Sequence, residues 1–136
     1  MWPYTINQFA TKPTQPCYDK ALENQAITYQ RLTPTSNQLR GCLASGYPFM
    51  FGFTVYESFE SDAVAKTGNA PMPLPDEHVL GGHAVLAVGY DDAKQRFIIR
   101  NSWGTGWGTK GYFTFPYAYL LDRNLCDDFW TVRTVE

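Results

Sequence analysis

The chain has two histidines, His78 and His83, and only the second stands where an imidazole could serve as a base. It opens the apolar run HAVLAVGY, and Asn101 closes the next apolar run, RFIIRN. A turn at Asp91, Asp92, Ala93 and Lys94, with its midpoint at Asp92, would fold the two runs into an antiparallel pair and set His83 beside Asn101 to within a residue. An amide oxygen in that place accepts from one ring nitrogen, fixes the tautomer, and leaves the other nitrogen free to take a proton from a thiol. Being uncharged, it orients the ring without the pull of a carboxylate. The same spacing suits a satisfied histidine at a core edge and an asparagine in a turn, so spacing alone leaves both readings open.

A base of this kind needs a nucleophile. Cys17, Cys42 and Cys126 are odd in number and far apart, which argues against a disulfide framework and against a Cys-x-x-Cys metal site. Cys17 precedes a short helix expected from about Tyr18 to Gln25, and a helix N-terminus lowers a thiol pKa. Cys42 falls on an apolar helix face and should behave as a small hydrophobe. Cys126 lies beside Asp127 and Asp128, neighbours that would raise its pKa. His78, with Asp76 and Glu77, sits on a Pro-rich loop without ligand spacing and reads as a solvated loop histidine; no metal or cofactor is expected.

These residues must be held by a mostly β scaffold. Ile27, Tyr29 and Leu32 suggest a first strand after a loop at residues 5–16. Thr35 and Gln38 form a capping-box pair ahead of a helix that turns Leu39, Cys42 and Leu43 to one face and stops at Gly46. In FMFGFTVY, Phe49, Phe51, Phe53 and Val55 alternate with Met50, Gly52, Thr54 and Tyr56, as a central strand requires. Glu60 to Leu80, with Pro71, Pro73 and Pro75, reads as a surface loop. The run from His83 carries apolar or small residues on both faces and is expected to be buried on both sides. Gly111 to Phe115 reads as a strand, Tyr117 to Leu121 as one helical turn, and Phe129 to Val135 as a last strand. The expectation is an α+β domain, mostly β, with an antiparallel barrel-like sheet and short peripheral helices over residues 1–136.

The charge balance, eleven basic against thirteen acidic residues, contains no Lys/Arg-rich run and suggests no nucleic-acid partner. No apolar run approaches the ~20 residues of a membrane span. Met1 is followed by no basic and apolar leader. A soluble chain with no membrane partner is expected, and nothing indicates its compartment. Trp2, Pro3 and Tyr4 begin abruptly, as though a segment had preceded them.

GGHAVLAVGYDD and NSWGTGWGTKGYF closely resemble the histidine and asparagine segments of papain-like cysteine peptidases. Asn101, Ser102, Trp103 and Gly104, then Trp107, Gly108, Gly111, Tyr112 and Phe113, form a long and specific match. WPY, SGYPF and VYESF are similar to the second half of the same family, particularly its bacterial members. The resemblance implies the right-hand, β domain of the papain-like fold, with His83 as general base and imidazolium partner of a thiolate and Asn101 as its orienting residue. Trp103 would shield the bond between them from water. Trp107 would offer an aromatic surface on the leaving-group side, although plain packing explains either tryptophan equally well. Ala84 matches a position that lines the pocket for the substrate side chain second from the scissile bond, and Gly82 would belong to the same shielding and subsite group.

In this family the nucleophile opens a helix in the first, largely helical half, within a Gln…Gly-Ser-Cys context that also supplies the oxyanion hole. Residues 1–136 contain no such context, and Cys17 lacks its glycines and its preceding glutamine, so no nucleophile is assigned to this chain. The resemblance therefore implies the His/Asn-bearing half of a peptidase acting on peptides or proteins, inactive alone. Its partner would be the missing N-terminal half or, through an exposed face around His83, Trp103 and Trp107, another copy of itself. Two rival expectations are a non-catalytic papain-like module that binds peptides or a partner protein, and an amidase or acyl transferase of another thiol clan.

Overall fold

A computed structural model describes residues 2, 3 and 5–135; Met1, Tyr4 of the WPY segment and Glu136 lie outside the described residues. Six strands form a single antiparallel sheet in the order β1-β6-β2-β3-β4-β5. They are β1 (Ala26–Arg31), β2 (Phe49–Tyr56), β3 (Val79–Asp91), β4 (Arg96–Arg100), β5 (Tyr112–Pro116) and β6 (Cys126–Val135). The short helix α1 (Gln15–Ala21) precedes β1, and α2 (Ser36–Ala44), α3 (Asp62–Thr67) and α4 (Tyr117–Leu121) lie between strands. The mostly β α+β architecture is as expected, and β2 is central, flanked by β3 and β6.

Alternation in β2 builds the core. Phe49, Phe51, Phe53 and Val55 are buried, while the residues between them face outward. Phe53 lies at the middle of a ring cluster, with centroids 5.0 Å from both Phe59 and Phe115, and its edge contact with His83 spans 5.7 Å. Such tilted and edge-on pairs are the arrangements the aromatic quadrupole favours. The catalytic candidate thus rests on the core through one phenylalanine.

Several local expectations need correction. His83 does not open its strand: β3 starts at Val79, and His83 pairs with Phe53 across β2. A register break between Ala87 and Gly89 shifts the β3–β4 pairing to Asp91↔Arg96. The turn is therefore centred between Ala93 and Lys94 rather than at Asp92. β3 is also not buried on both sides. Val85 and Ala87 are enclosed, whereas Ala84 and Val88 on the opposite face are exposed. Helix α1 begins at Gln15, so Cys17 lies within its first turn rather than before it. The stretch from Glu60 to Leu80 is not all loop: it contains α3, capped by the Ser61 hydroxyl, which accepts from the Val64 amide at 3.4 Å, and it supplies the start of β3. The capping box of α2 is half formed. Thr35 accepts from the Gln38 amide at 3.4 Å, but the Gln38 side chain accepts from Thr33 rather than Thr35. β6 begins three residues earlier than expected, at Cys126.

The sheet's two edges differ. Tyr112 exchanges both backbone bonds with Thr109, Thr114 donates to Gly68 and accepts from Ala70, and Pro116 has no amide to offer. The outer edge of β5 is thereby filled. β1 pairs with β6 alone, and all six of its residues are exposed.

Candidate active site

His83 and Asn101 meet at the outer rim of the sheet. Nε2 of His83 lies 2.9 Å from Oδ1 of Asn101. Asn101 directly follows β4, and its backbone amide donates to the Gly111 carbonyl at 2.9 Å, which closes the loop 101–111 on itself. The register break in β3 leaves the two residues staggered rather than directly opposite, and the asparagine side chain spans the difference.

The bonding pattern fixes the proton. Oδ1 of Asn101 also accepts from the Ser102 backbone amide at 2.8 Å, so this end of the side chain is the oxygen. An oxygen cannot donate, so Nε2 of a neutral His83 carries the hydrogen. Nδ1 is left unprotonated. Among the described residues no hydrogen bond engages Nδ1, and the ring is half-buried. The arrangement leaves one ring nitrogen with a lone pair that no described residue engages.

Asn101 is only 8% exposed, and its Nδ2 is enclosed with no hydrogen-bond acceptor among the described residues. Leaving a buried amide hydrogen unpaired costs about 1–3 kcal/mol. Such a group is tolerated where geometry serves chemistry rather than stability.

Trp103 stacks on the imidazole, with ring centroids 4.9 Å apart and planes at 20°. Its outer surface remains 41% exposed. Trp107 differs: it meets Trp103 edge-on at 5.0 Å and packs against Phe59 and Phe113 at 5.6 Å. Trp103 is thus a cover on the ring, and Trp107 is a half-buried packing residue that holds the cover.

A cleft of about 450 Å³ runs beside the ring, lined by Gly82, His83 and Ala84 of β3, Gly52 of β2 and Asp127 of β6, among others. Gly52 matters to its floor, because a Cβ there would come within 3.1 Å of the Asp127 carboxylate. Asp127 owes its position to a bulge. Asp128 has φ 54°, and the β2–β6 register breaks between Met50↔Trp130 and Gly52↔Asp127. Bulges of this type re-aim a neighbouring side chain. Sequence reading missed Asp127 as a cleft residue, because a strand expected to start at Phe129 left it in a loop.

The cysteines stand apart from this rim. Cys42 is buried on α2, where its thiol donates to the Tyr47 carbonyl at 3.3 Å. Burial pushes the Cys126 thiol well up, with Asp127 and Asp122 adding to the effect; Asp122, not Asp128, is the second acid. Cys17 lies near the Thr14 hydroxyl, at 3.4 Å. His78 uses its backbone amide to bind the Glu57 carboxylate at 3.2 Å. Among the described residues no three His, Cys, Asp or Glu side chains are grouped to hold a metal ion. Among the described residues no helix is long and apolar enough to cross a membrane.

Comparison with known proteins agrees with this geometry. Residues 2–126 match the papain family cysteine proteases. The chain is 41% identical to an uncharacterized peptidase C1-like protein of Acanthamoeba polyphaga mimivirus, over 98% of this chain and 46% of that protein. It is 41% identical to the thiol protease aleurain of Arabidopsis thaliana, over 66% of this chain and 24% of that protein. In structure it is similar to xylellain, a cysteine protease from Xylella fastidiosa, with a TM-score of 0.87 and 42% identity over 93% of this chain and 47% of that one. The chain spans about half the length of these first two full-coverage relatives. Matched over residues 2–126 and carrying the His83–Asn101 bond with Trp103 stacked on the ring, the chain belongs to the papain family of cysteine proteases.

Proposed function

We propose that this chain is the base-bearing half of a cysteine peptidase, in which His83 accepts the proton of a cysteine thiol supplied from outside residues 1–136. The observation that carries the reading is the 2.9 Å bond from Nε2 to Asn101, with the Ser102 amide fixing which end of Asn101 is the oxygen. That pairing leaves Nδ1 as the acceptor on the open side. The resulting thiolate–imidazolium pair attacks a peptide carbonyl, and the imidazolium then returns its proton to the departing amine. The cleft beside Ala84 and Gly82 receives a substrate side chain. A purely peptide-binding module has no need of a tautomer held by two bonds, so the catalytic reading explains more of the site.

Alone, the half is inactive, since nucleophile and oxyanion hole each contribute several factors of ten. The surface prepared for its partner is the outer face of β2 and β3, where Met50 is 43% and Val88 39% exposed, continuing to Trp103. The cysteine-bearing half sits there, and in its absence a second copy does. Trp107 adds a smaller exposed surface to this face, since its ring packs against Phe59 and Phe113.

The test has two arms. The chain alone, incubated with a peptidyl epoxide, should gain no mass at Cys17; labelling at Cys17 that disappears in His83→Ala overturns the reading. Fusing the cysteine-bearing half of xylellain ahead of residue 1 should give peptide hydrolysis that His83→Ala abolishes. A folded fusion that labels with epoxide yet hydrolyses equally well with alanine at His83 also overturns it.

A further inference from the structure

The loop that carries Asn101, Trp103 and Trp107 has backbone bonds of its own, from Asn101 to Gly111 and from Gly111 to Trp107, but does not rest on these alone. It is braced from below by α3. The amide of Gly108, the residue after Trp107, donates to the Ala65 carbonyl at 2.7 Å, and the Thr109 hydroxyl donates to the Thr67 carbonyl at 2.8 Å. Both acceptors belong to the last turn of α3, where helix carbonyls have no partner within the helix. The loop satisfies them, and the helix end in return fixes the loop.

This contact depends on a missing side chain. Gly68, the residue after α3, has φ 67°, and a Cβ there would come within 2.6 Å of the Tyr112 carbonyl, 3.1 Å of the Thr109 nitrogen and 3.2 Å of the Phe113 Cα. All three are backbone atoms, so no side-chain rotation relieves the clash. Gly108 faces Gly68 across the same gap, and its own Cβ position lies 3.5 Å from the Gly68 Cα. Gly68 cannot retreat either, because its carbonyl accepts from the Thr114 amide at 2.7 Å. Arg96 ties down the next stretch by donating to the Ala70 carbonyl.

We propose that Gly68 is a positioning residue for the His83 site: its bare α-carbon lets the loop 104–112 seat on α3, and that seat sets how closely Trp103 covers the imidazole. The inference rests on reading His83 as the base, but its test needs no peptidase activity, so the two fail separately. The chain carries its own control in Gly46. That glycine also has a left-handed φ, 83°, but nothing lies within 4 Å of its Cβ position. Gly46→Ala therefore imposes the same kind of backbone strain without the collision.

The measurement is proton NMR of the two imidazoles. His83, under the indole face, should show upfield ring-current shifts and cross-relaxation to Trp103, while exposed His78 serves as an internal reference. Gly68→Ala should lose both signatures, and Gly46→Ala should keep them. Should Gly68→Ala fail to fold, Thr109→Val, which removes only the hydroxyl bond to Thr67, should weaken both signatures in a folded chain. Unchanged His83 signatures in a folded Gly68→Ala overturn the proposal, as do unchanged signatures in Thr109→Val or an equal loss in Gly46→Ala.

Discussion

Trp103 lies almost parallel to His83, 4.9 Å away, and is 41% exposed while also packing against Phe59 and Trp107. An indole in that place would stand between water and the bond that fixes the tautomer. Trp103→Ala removes a partly exposed ring paired with His83, Phe59 and Trp107 and should lower stability by less than the ~3 kcal/mol that a buried ring costs. Exchange of the His83 Nε2 proton with solvent should become markedly faster. Urea unfolding and nitrogen-detected imidazole spectra measure the two effects on one sample.

Trp107 should behave in the opposite way. Its ring contacts Trp103, Phe59 and Phe113, so Trp107→Ala opens a cavity under the cover and should cost about 3 kcal/mol. A larger loss of stability for Trp107→Ala than for Trp103→Ala, read from denaturation midpoints, separates the packing ring from the shielding one.

Asn101→Ala removes the acceptor for both His83 and the Ser102 amide. The imidazole should lose its single tautomer, visible as averaged nitrogen shifts for its two ring positions. The Ser102 amide loses its partner but is exposed to water, and the buried, unpaired Nδ2 leaves with the side chain, so the net change in stability should be small. A variant that retained the Nε2–H tautomer would show that something other than Asn101 orients the ring.

Asp92 accepts from the Tyr117 hydroxyl and from Arg40, each at 2.8 Å, and so joins α4, the β3–β4 turn and α2. The Tyr117 bond, followed by Arg40, holds the Asp92 carboxyl below its usual range. A depressed acid stabilises the fold above its unfolded pKa and loses that contribution as the pH falls through its folded value. Tyr117 is pushed up to about 12, by burial first and by Asp92 second. A raised phenol contributes fully below its ordinary pKa near 10, and the contribution disappears as the pH rises toward 12. Tyr117→Phe should flatten both limbs of a stability–pH curve from urea melts, and Asp92→Asn should flatten the acid limb.

Ala84→Leu tests the cleft. A larger side chain on its wall should raise KM for peptides in the fusion with a cysteine-bearing half and leave kcat nearly unchanged, because ground-state and transition-state binding suffer alike. An equal fall in kcat would place Ala84 against the reacting atoms instead.

The core was readable from the chain where periodicity was strong. Phe49, Phe51, Phe53 and Val55 alternate without interruption, and β2 occupies the middle of the sheet as that pattern demands. The pairing of His83 with Asn101 was readable to within the reach of a side chain. Its register was not: Gly89 stands at the break and is a local sign of a bulge, but a strand glycine also marks close backbone approach and does not fix which residue is left unpaired. Helix α3 was hidden for a different reason. Ser61, Asp62 and Gly68 are legitimate cap, first-turn and stop residues, but the prolines that follow dominated a segment only six residues long. The double burial inferred for β3 came from composition alone. Ala84 and Val88 are apolar on a face that residues 1–136 leave open, and a sequence records such a preference without saying which surface meets it.

The unequal edges of the sheet set an upper limit on how copies can join through their backbones. Thr109, Gly68 and Ala70 fill the outer margin of β5, where Pro116 has no amide to offer, and among the described residues β1 is the edge strand left open to another strand. Growth strand upon strand needs a donor margin on each side of every molecule. With a valence of one, edge-to-edge association closes after a single two-fold pair and cannot propagate into a filament.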